Sequence, residues 1–124
     1  KAFHMNGGST VAAMSSAEEV KAYFAKNVPV YTTTNKPFQG TFDGNNATVY
    51  GAASSGWYAA LFQQTTGDAT IKNITVKNSY FNSSGYTGGI VGGTYVKDMT
   101  TSSLTIENCI VIFIVVIMMV DAAL

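Results

Sequence analysis

Seven carboxylates, one histidine and one cysteine are the side chains with which this 124-residue chain could carry out acid–base, nucleophilic or metal chemistry: Glu18, Glu19, Asp43, Asp68, Asp98, Glu107, Asp121, His4 and Cys109. Cleavage of a polysaccharide needs two of those carboxylates facing one bond, and a metal needs several ligands converging on a point. Nothing in their spacing brings them together. Asp43 and Asp68 each adjoin a glycine, Gly44 and Gly67, where a short carboxylate closes a turn by accepting backbone N–H groups; both are expected to shape the chain. Asp43, Asn45 and Asn46 could offer oxygens to calcium, yet Asp-Gly-Asn-Asn lacks the spaced carboxylates of a dedicated loop. His4 lies in a glycine-containing start. Cys109 has no partner for an intramolecular disulfide and, within an apolar run, reads as a small buried hydrophobe. The expectation is no catalytic set, no metal and no cofactor.

Stacking is the chemistry that remains. Tyr50, Trp57, Tyr58, Tyr80, Tyr86 and Tyr95 supply flat apolar faces with a polar tip. Trp57, Tyr58 and Tyr86 are the candidates for a glycan-stacking surface, with host or matrix glycans as partners. Arginine is absent, charged residues make up 11% and the net charge is zero, so the basic stripe that phosphates require is missing and nucleic acid is not an expected partner. Low charge with abundant Gly, Ser, Thr, Asn and Tyr suits turns and pleated surfaces and points to an extracellular or cell-surface β-protein. Asn46-Ala47-Thr48, Asn73-Ile74-Thr75 and Asn82-Ser83-Ser84 satisfy the glycosylation sequon. The chain opens on Lys1 without an initiator methionine, which reads as a mature form or an excerpt.

The elements that would position these residues announce themselves as a repeat. ATIKNITV (residues 69–76) and LTIENCIV (residues 104–111) match at Thr70/Thr105, Ile71/Ile106, Asn73/Asn108 and Val76/Val111, and Ala47, Thr48 and Val49 stand where Ala69, Thr70 and Ile71 do. Such self-similarity marks a solenoid, whose units bury their apolar faces by stacking. The intervals of 22 and 35 residues are uneven, and the Gly/Ser/Thr-rich residues 82–103 would be an inserted loop. Asp43, Gly44, Ile71, Asn73, Ile106 and Asn108 are the structural repeat positions; Asn73 and Asn108 would form a ladder of amides. The fold expected is mainly β, a short right-handed parallel β-helix with one N-terminal capping helix and a long apolar C-terminal strand.

Local signals fill in the single expected domain, divided into residues 1–27, 28–108 and 109–124. Residues 1–10 read as a loose start. Ser16 and Glu19 have capping-box spacing, and Val20, Tyr23 and Phe24 share one face of a helix reaching Lys26 that would cover the open end of the solenoid. Residues 28–34 are β-prone, and Asn35-Lys36-Pro37 forms a turn into residues 38–42, with Phe38 and Phe42 inward. Asp43-Gly44-Asn45-Asn46 and Thr66-Gly67-Asp68 are turns, residues 56–62 a short strand, and the glycine pairs around Ile90-Val91 suit a tight bend or a close backbone approach.

Phe38 to Val49 (F-x-G-x-F-D-G-N-x-x-T-V), Leu61-Phe62, A-T-I-K-N-I-T-V, G-G-I-V-G from Gly88 and T-I-E-N-C from Thr105 together resemble the GLUG-repeat modules of bacterial surface and adhesin-like proteins. The resemblance covers roughly residues 38–111. It implies a parallel β-helical solenoid on a secreted or cell-wall protein, with structure-forming residues and no catalytic set.

Residues 109–120, CIVIFIVVIMMV, are all apolar. Twelve helical residues span only about 18 Å against a bilayer core of about 30 Å, so a transmembrane span is not expected. Ile and Val favour a strand greasy on both faces, which demands cover. The cover could be the chain's own helix, a neighbouring copy receiving the segment as a donated strand, or an aggregate or membrane. Ile110, Ile112, Phe113, Ile114, Val116, Ile117, Met118 and Val120 would form the assembly interface. The function expected is a non-catalytic extracellular structural or adhesion module that self-associates into oligomers or filaments; the alternatives are a carbohydrate-binding surface module and a small β-helical polysaccharide enzyme.

Overall fold

The computed structural model describes residues 1–31, 36–95 and 102–118; Asp98, Asp121 and Val120 lie outside them. The elements run β1 (Ala2–His4), α1 (Gly8–Ala12), α2 (Ala17–Lys26), β2 (Phe38–Tyr50), β3 (Ala53–Ala59), β4 (Phe62–Lys77), β5 (Tyr80–Thr87), β6 (Val91–Thr94), β7 (Ser103–Ile112) and β8 (Val115–Met118). The protein is mainly β with two parallel sheets. One has the order β1-β2-β4-β6 with β7 also on β4, and the other is β3-β5-β8. Each sheet thus receives a strand from three successive passes of the chain: β2 then β3, β4 then β5, and β6 with β7 then β8.

Thr70 pairs with Thr105, Ile71 with Ile106 and Val76 with Val111, in parallel. The first phrase pairs otherwise than expected. Gly40, Thr41 and Phe42 sit beside Ala69, Thr70 and Ile71, while Ala47, Thr48 and Val49 sit beside Ile74, Thr75 and Val76. Extra residues at Gly44, Asn45 and Asn46 cause the shift: they oppose Asn73 alone and form a bulge. Asp43 to Asn46 is therefore a bend inside one continuous strand, as is Thr66 to Asp68 inside β4. The bend requires left-handed backbone, and asparagine supplies it in every pass, at Asn45 and Asn46 (φ 51° and 61°), Asn73 (58°) and Asn108 (49°). A second column of left-handed residues, Gly51, Asn78 and Phe113, turns each pass from the first sheet to the second.

The core lies between the sheets. Ile71, Val76 and Phe81 of the middle pass are fully buried, joined by Ala47, Val49, Ala59 and Ile74. Small polar residues share this interior because each finds backbone to bond: Ser54 Oγ accepts from Ala60 N–H at 2.8 Å and Ser79 Oγ from Ala52 N–H at 3.0 Å.

Several expected elements differ. Residues 82–94 are largely strand and not an inserted loop, since buried Phe81 and Ser83 alternate with more exposed neighbours on β5. Residues 56–62 break at Ala60-Leu61 between β3 and β4. Residues 28–31 are no strand; Val28 and Val30 are exposed, and Val30 N–H donates to Asn6 Oδ1 at 2.9 Å. The start is ordered. His4 stacks on Tyr50 with ring centroids 5.3 Å apart, and Asn78 Nδ2 donates to the carbonyls of Val11 (2.8 Å) and Met14 (3.0 Å) at the end of α1.

Helix α2 begins as its spacing predicts, with Ser16 Oγ accepting from Glu19 N–H at 3.2 Å. Its position corrects the expected cap across the end of the stack. Val20 and Phe24 pack with Val11 and Val115, and with the partly buried Tyr80 and Ile117. Tyr80 and Val115 are register partners flanking the inward Phe81 and Val116, so the helix lies on the outer flank of β5 and β8. The long apolar C-terminal strand is also corrected: it bends at Phe113 into β7 and β8, and β7 runs through the expected boundary at 108/109.

Candidate functional site

The bend at Phe113 decides which of the C-terminal apolar residues face in. Before it, Val111 continues the inward column of Val49 and Val76; after it, Val116 continues that of Ser54 and Phe81. Ile106 continues the column of Phe42 and Ile71. Where Ile71, Val76 and Phe81 are each 0% exposed, Ile106, Val111 and Val116 are 46%, 39% and 45% exposed. The difference has one geometric cause: within the described residues no layer pairs on the far edge of β7 or β8. The outward face changes character too. Ile110 and Ile112 stand in the columns of Thr75 and Lys77, and Phe113 packs its ring 5.9 Å from the Lys77 ammonium. Of the proposed interface, Ile110, Phe113 and Val116 are well exposed, Ile112, Ile114 and Ile117 partly buried. Met118 ends β8 opposite Ser83. The opposite edge is covered only in part, because β1 pairs with residues 48–50 alone. Beside it a cavity of about 390 Å³ is lined by Phe3, Met5, Phe42, Val49, Leu61 and Phe62, among others.

A second surface forms on the outer side of β3 and β5. Tyr58 and Tyr86 are register partners whose rings stack at 5.3 Å and 21°, and Trp57 meets Tyr86 edge-on at 5.9 Å and 80°. Trp57 and Tyr86 remain 58% and 55% exposed. The three glycan-stacking candidates are thus one cluster. Two buried polar side chains that sequence reasoning passed over hold its backbone. Ser83 Oγ lies 3.0 Å from Trp57 O and 2.8 Å from Tyr86 O and accepts from Gly85 N–H at 2.9 Å. Gln63 Nε2 donates to Ser55 O (3.0 Å) and Tyr58 O (2.6 Å). Gly85 is also needed, since a Cβ there would lie 2.6 Å from the indole Cδ2 of Trp57. A glycine next to a tyrosine in a strand was the available signal.

The repeat positions meet on the first sheet. Asn108 Nδ2 donates to Asn73 Oδ1 at 2.8 Å, and Asn73 Nδ2 donates to Asp43 Oδ1 at 3.0 Å. Gly44 lies tight against Asn73 O, 2.5 Å from where its Cβ would be. Asp43, Lys72 and Glu107 occupy one register row, an alternation of charge on an exposed sheet. The Asn73 amide, then the Asn45 N–H and the nearby Lys72, hold the Asp43 carboxyl below its ordinary value of 3.8, which makes it a weaker base. Asp68 accepts from Ser103 Oγ at 2.8 Å. Cys109 is half-buried, its thiol 3.5 Å from Ile71 O. Among the described residues no three His, Cys, Asp or Glu side chains converge as a metal site, and no helix is long and apolar enough to cross a membrane. Comparison of the chain with protein-family models, with curated proteins and with solved structures returned no match.

Proposed function

We propose that the chain is a non-catalytic structural or adhesion module of the GLUG-repeat kind, a short right-handed parallel β-helix displayed outside the cell, that associates with further copies of itself through its last pass. The observation that carries this reading is the contrast along the inward columns: Ile106, Val111 and Val116 have the register of the buried Ile71, Val76 and Phe81, yet they stay 39% to 46% exposed, with no further layer on them among the described residues. One more parallel layer, about 4.8 Å further on, would cover them and pair the free strand edges. The two ends of the stack differ, so a contact from the last pass of one copy to the first pass of the next is heterologous and extends into a filament.

Sedimentation and electron microscopy of the whole chain test the reading. Ile110→Thr and Ile112→Lys give the last pass the outward residues of the middle one, and Val116→Asp charges its exposed inner column. The wild type should form oligomers or fibres that the triple variant, checked for retained β-structure by circular dichroism, does not form. A wild-type chain that stays monomeric at every concentration overturns the proposal.

A further inference from the structure

We propose that the cluster of Trp57, Tyr58 and Tyr86 is a binding site for a neutral hexopyranose glycan. The inference is independent of self-association, because the groove is lined from β3 and the start of β4 and not from the last pass. Its volume is about 330 Å³ and its lining is Ser55, Gly56, Trp57, Tyr58, Gln63 and Gln64, without one charged side chain. An anionic sugar or a phosphate would find no counter-charge here, whereas a neutral pyranose offers what the groove can use: an apolar C–H face for an aromatic ring and hydroxyls for amides.

The geometry is set before any ligand arrives. Gly85 lies close against the indole, and Tyr86, outside the groove's lining, stacks on Tyr58 and meets the indole edge-on, so it supports both rings that line the groove. A bulge places Trp57 opposite Ser84 and Gly85, between the register pairs Gly56/Ser83 and Tyr58/Tyr86, which turns the indole outward. Ser83, 1% exposed, and Gln63, 8% exposed, fix the carbonyls of Trp57, Tyr58 and Tyr86. With both amide hydrogens used on Ser55 O and Tyr58 O, Gln63 can present the groove only an acceptor, its Oε1, suited to a sugar hydroxyl. Rigid rings need little further ordering on binding, and that favours a ligand as weakly apolar as a sugar.

Trp57 is the sole tryptophan, so its emission reports this groove alone. Cellohexaose, laminarihexaose and mannohexaose are titrated against the intact protein, with tetragalacturonate as the anionic comparison, and binding is confirmed by calorimetry. At least one neutral hexasaccharide should shift the emission saturably, and Trp57→Ala and Tyr58→Ala should each weaken calorimetric binding about tenfold or more, while Lys21→Ala, an exposed position on α2, leaves it unchanged. The proposal is overturned if no neutral hexasaccharide moves the emission or releases heat at about 10 mM. Equal binding of tetragalacturonate, or wild-type affinity in both aromatic variants, overturns it as well.

Discussion

Asn73 does three things at once: it takes left-handed backbone (φ 58°), accepts from Asn108 and donates to Asp43. Alanine at this position keeps none of them except, at a cost of about 1 to 2 kcal/mol, the backbone. Glycine removes that cost but leaves the amides unmade, so comparing Asn73→Ala with Asn73→Gly by chemical denaturation separates the two contributions. The Asp43 carboxyl adds a pH signature. It is held below 3.8 in the folded protein, so as pH falls the unfolded chain takes up the proton first. The stabilisation is therefore complete above the ordinary value and is lost as pH drops through the lower folded one. Asn73→Ala removes the largest cause of that depression, and the gap between wild type and variant should narrow in this acid window. The asparagine column was legible in the sequence because a left-handed bend admits few residue types. Ser83 and Gln63 were not, because a buried serine or glutamine looks like any other until its backbone partners are known.

Among the elements, those with purely local causes were readable and those created by distant partners were not. The cap of α2 depends on Ser16 and Glu19 alone and could be read directly. β1 has three residues, all exposed, and exists because residues 48–50 offer it an edge. Residues 28–31 carry β-branched side chains but find no such edge, so their propensity goes unused. The apolar run was misread as one strand because nothing in its composition marks Phe113 as a bend; Gly51 and Asn78 carry that role in the other passes. Helix α2 makes a test possible at this scale. Phe24 is 4% exposed against Tyr80 and the Val115 cluster, and Phe24→Ala should cost about 3 kcal/mol or more. Hydrogen exchange in β5 and β8 should quicken accordingly, with β2 least affected; uniform loss of protection would show that the helix does more than fasten one flank.

For the molecule as a whole, the sequence repeat disclosed parallel pairing, whereas the final edge, unpaired within the described residues, is visible only in the exposures along a column. That stacking order also has a mechanical meaning. β1 lies at the first edge, β7 and β8 at the last, so tension between the chain ends pulls across the strands and loads their hydrogen bonds a few at a time, like the teeth of a zip. The strap of α2 on β5 and β8 must give way before the last pass can peel. Extension in optical tweezers should then proceed in steps near one pass each. The repeat from Val49 to Val76 is 27 residues and that from Val76 to Val111 is 35, which at about 3.5 Å per residue predicts lengthening by about 95 and 120 Å before subtraction of the folded spacing. A single cooperative rupture would contradict this. A chain that yields pass by pass would lengthen under a pull instead of snapping at one joint.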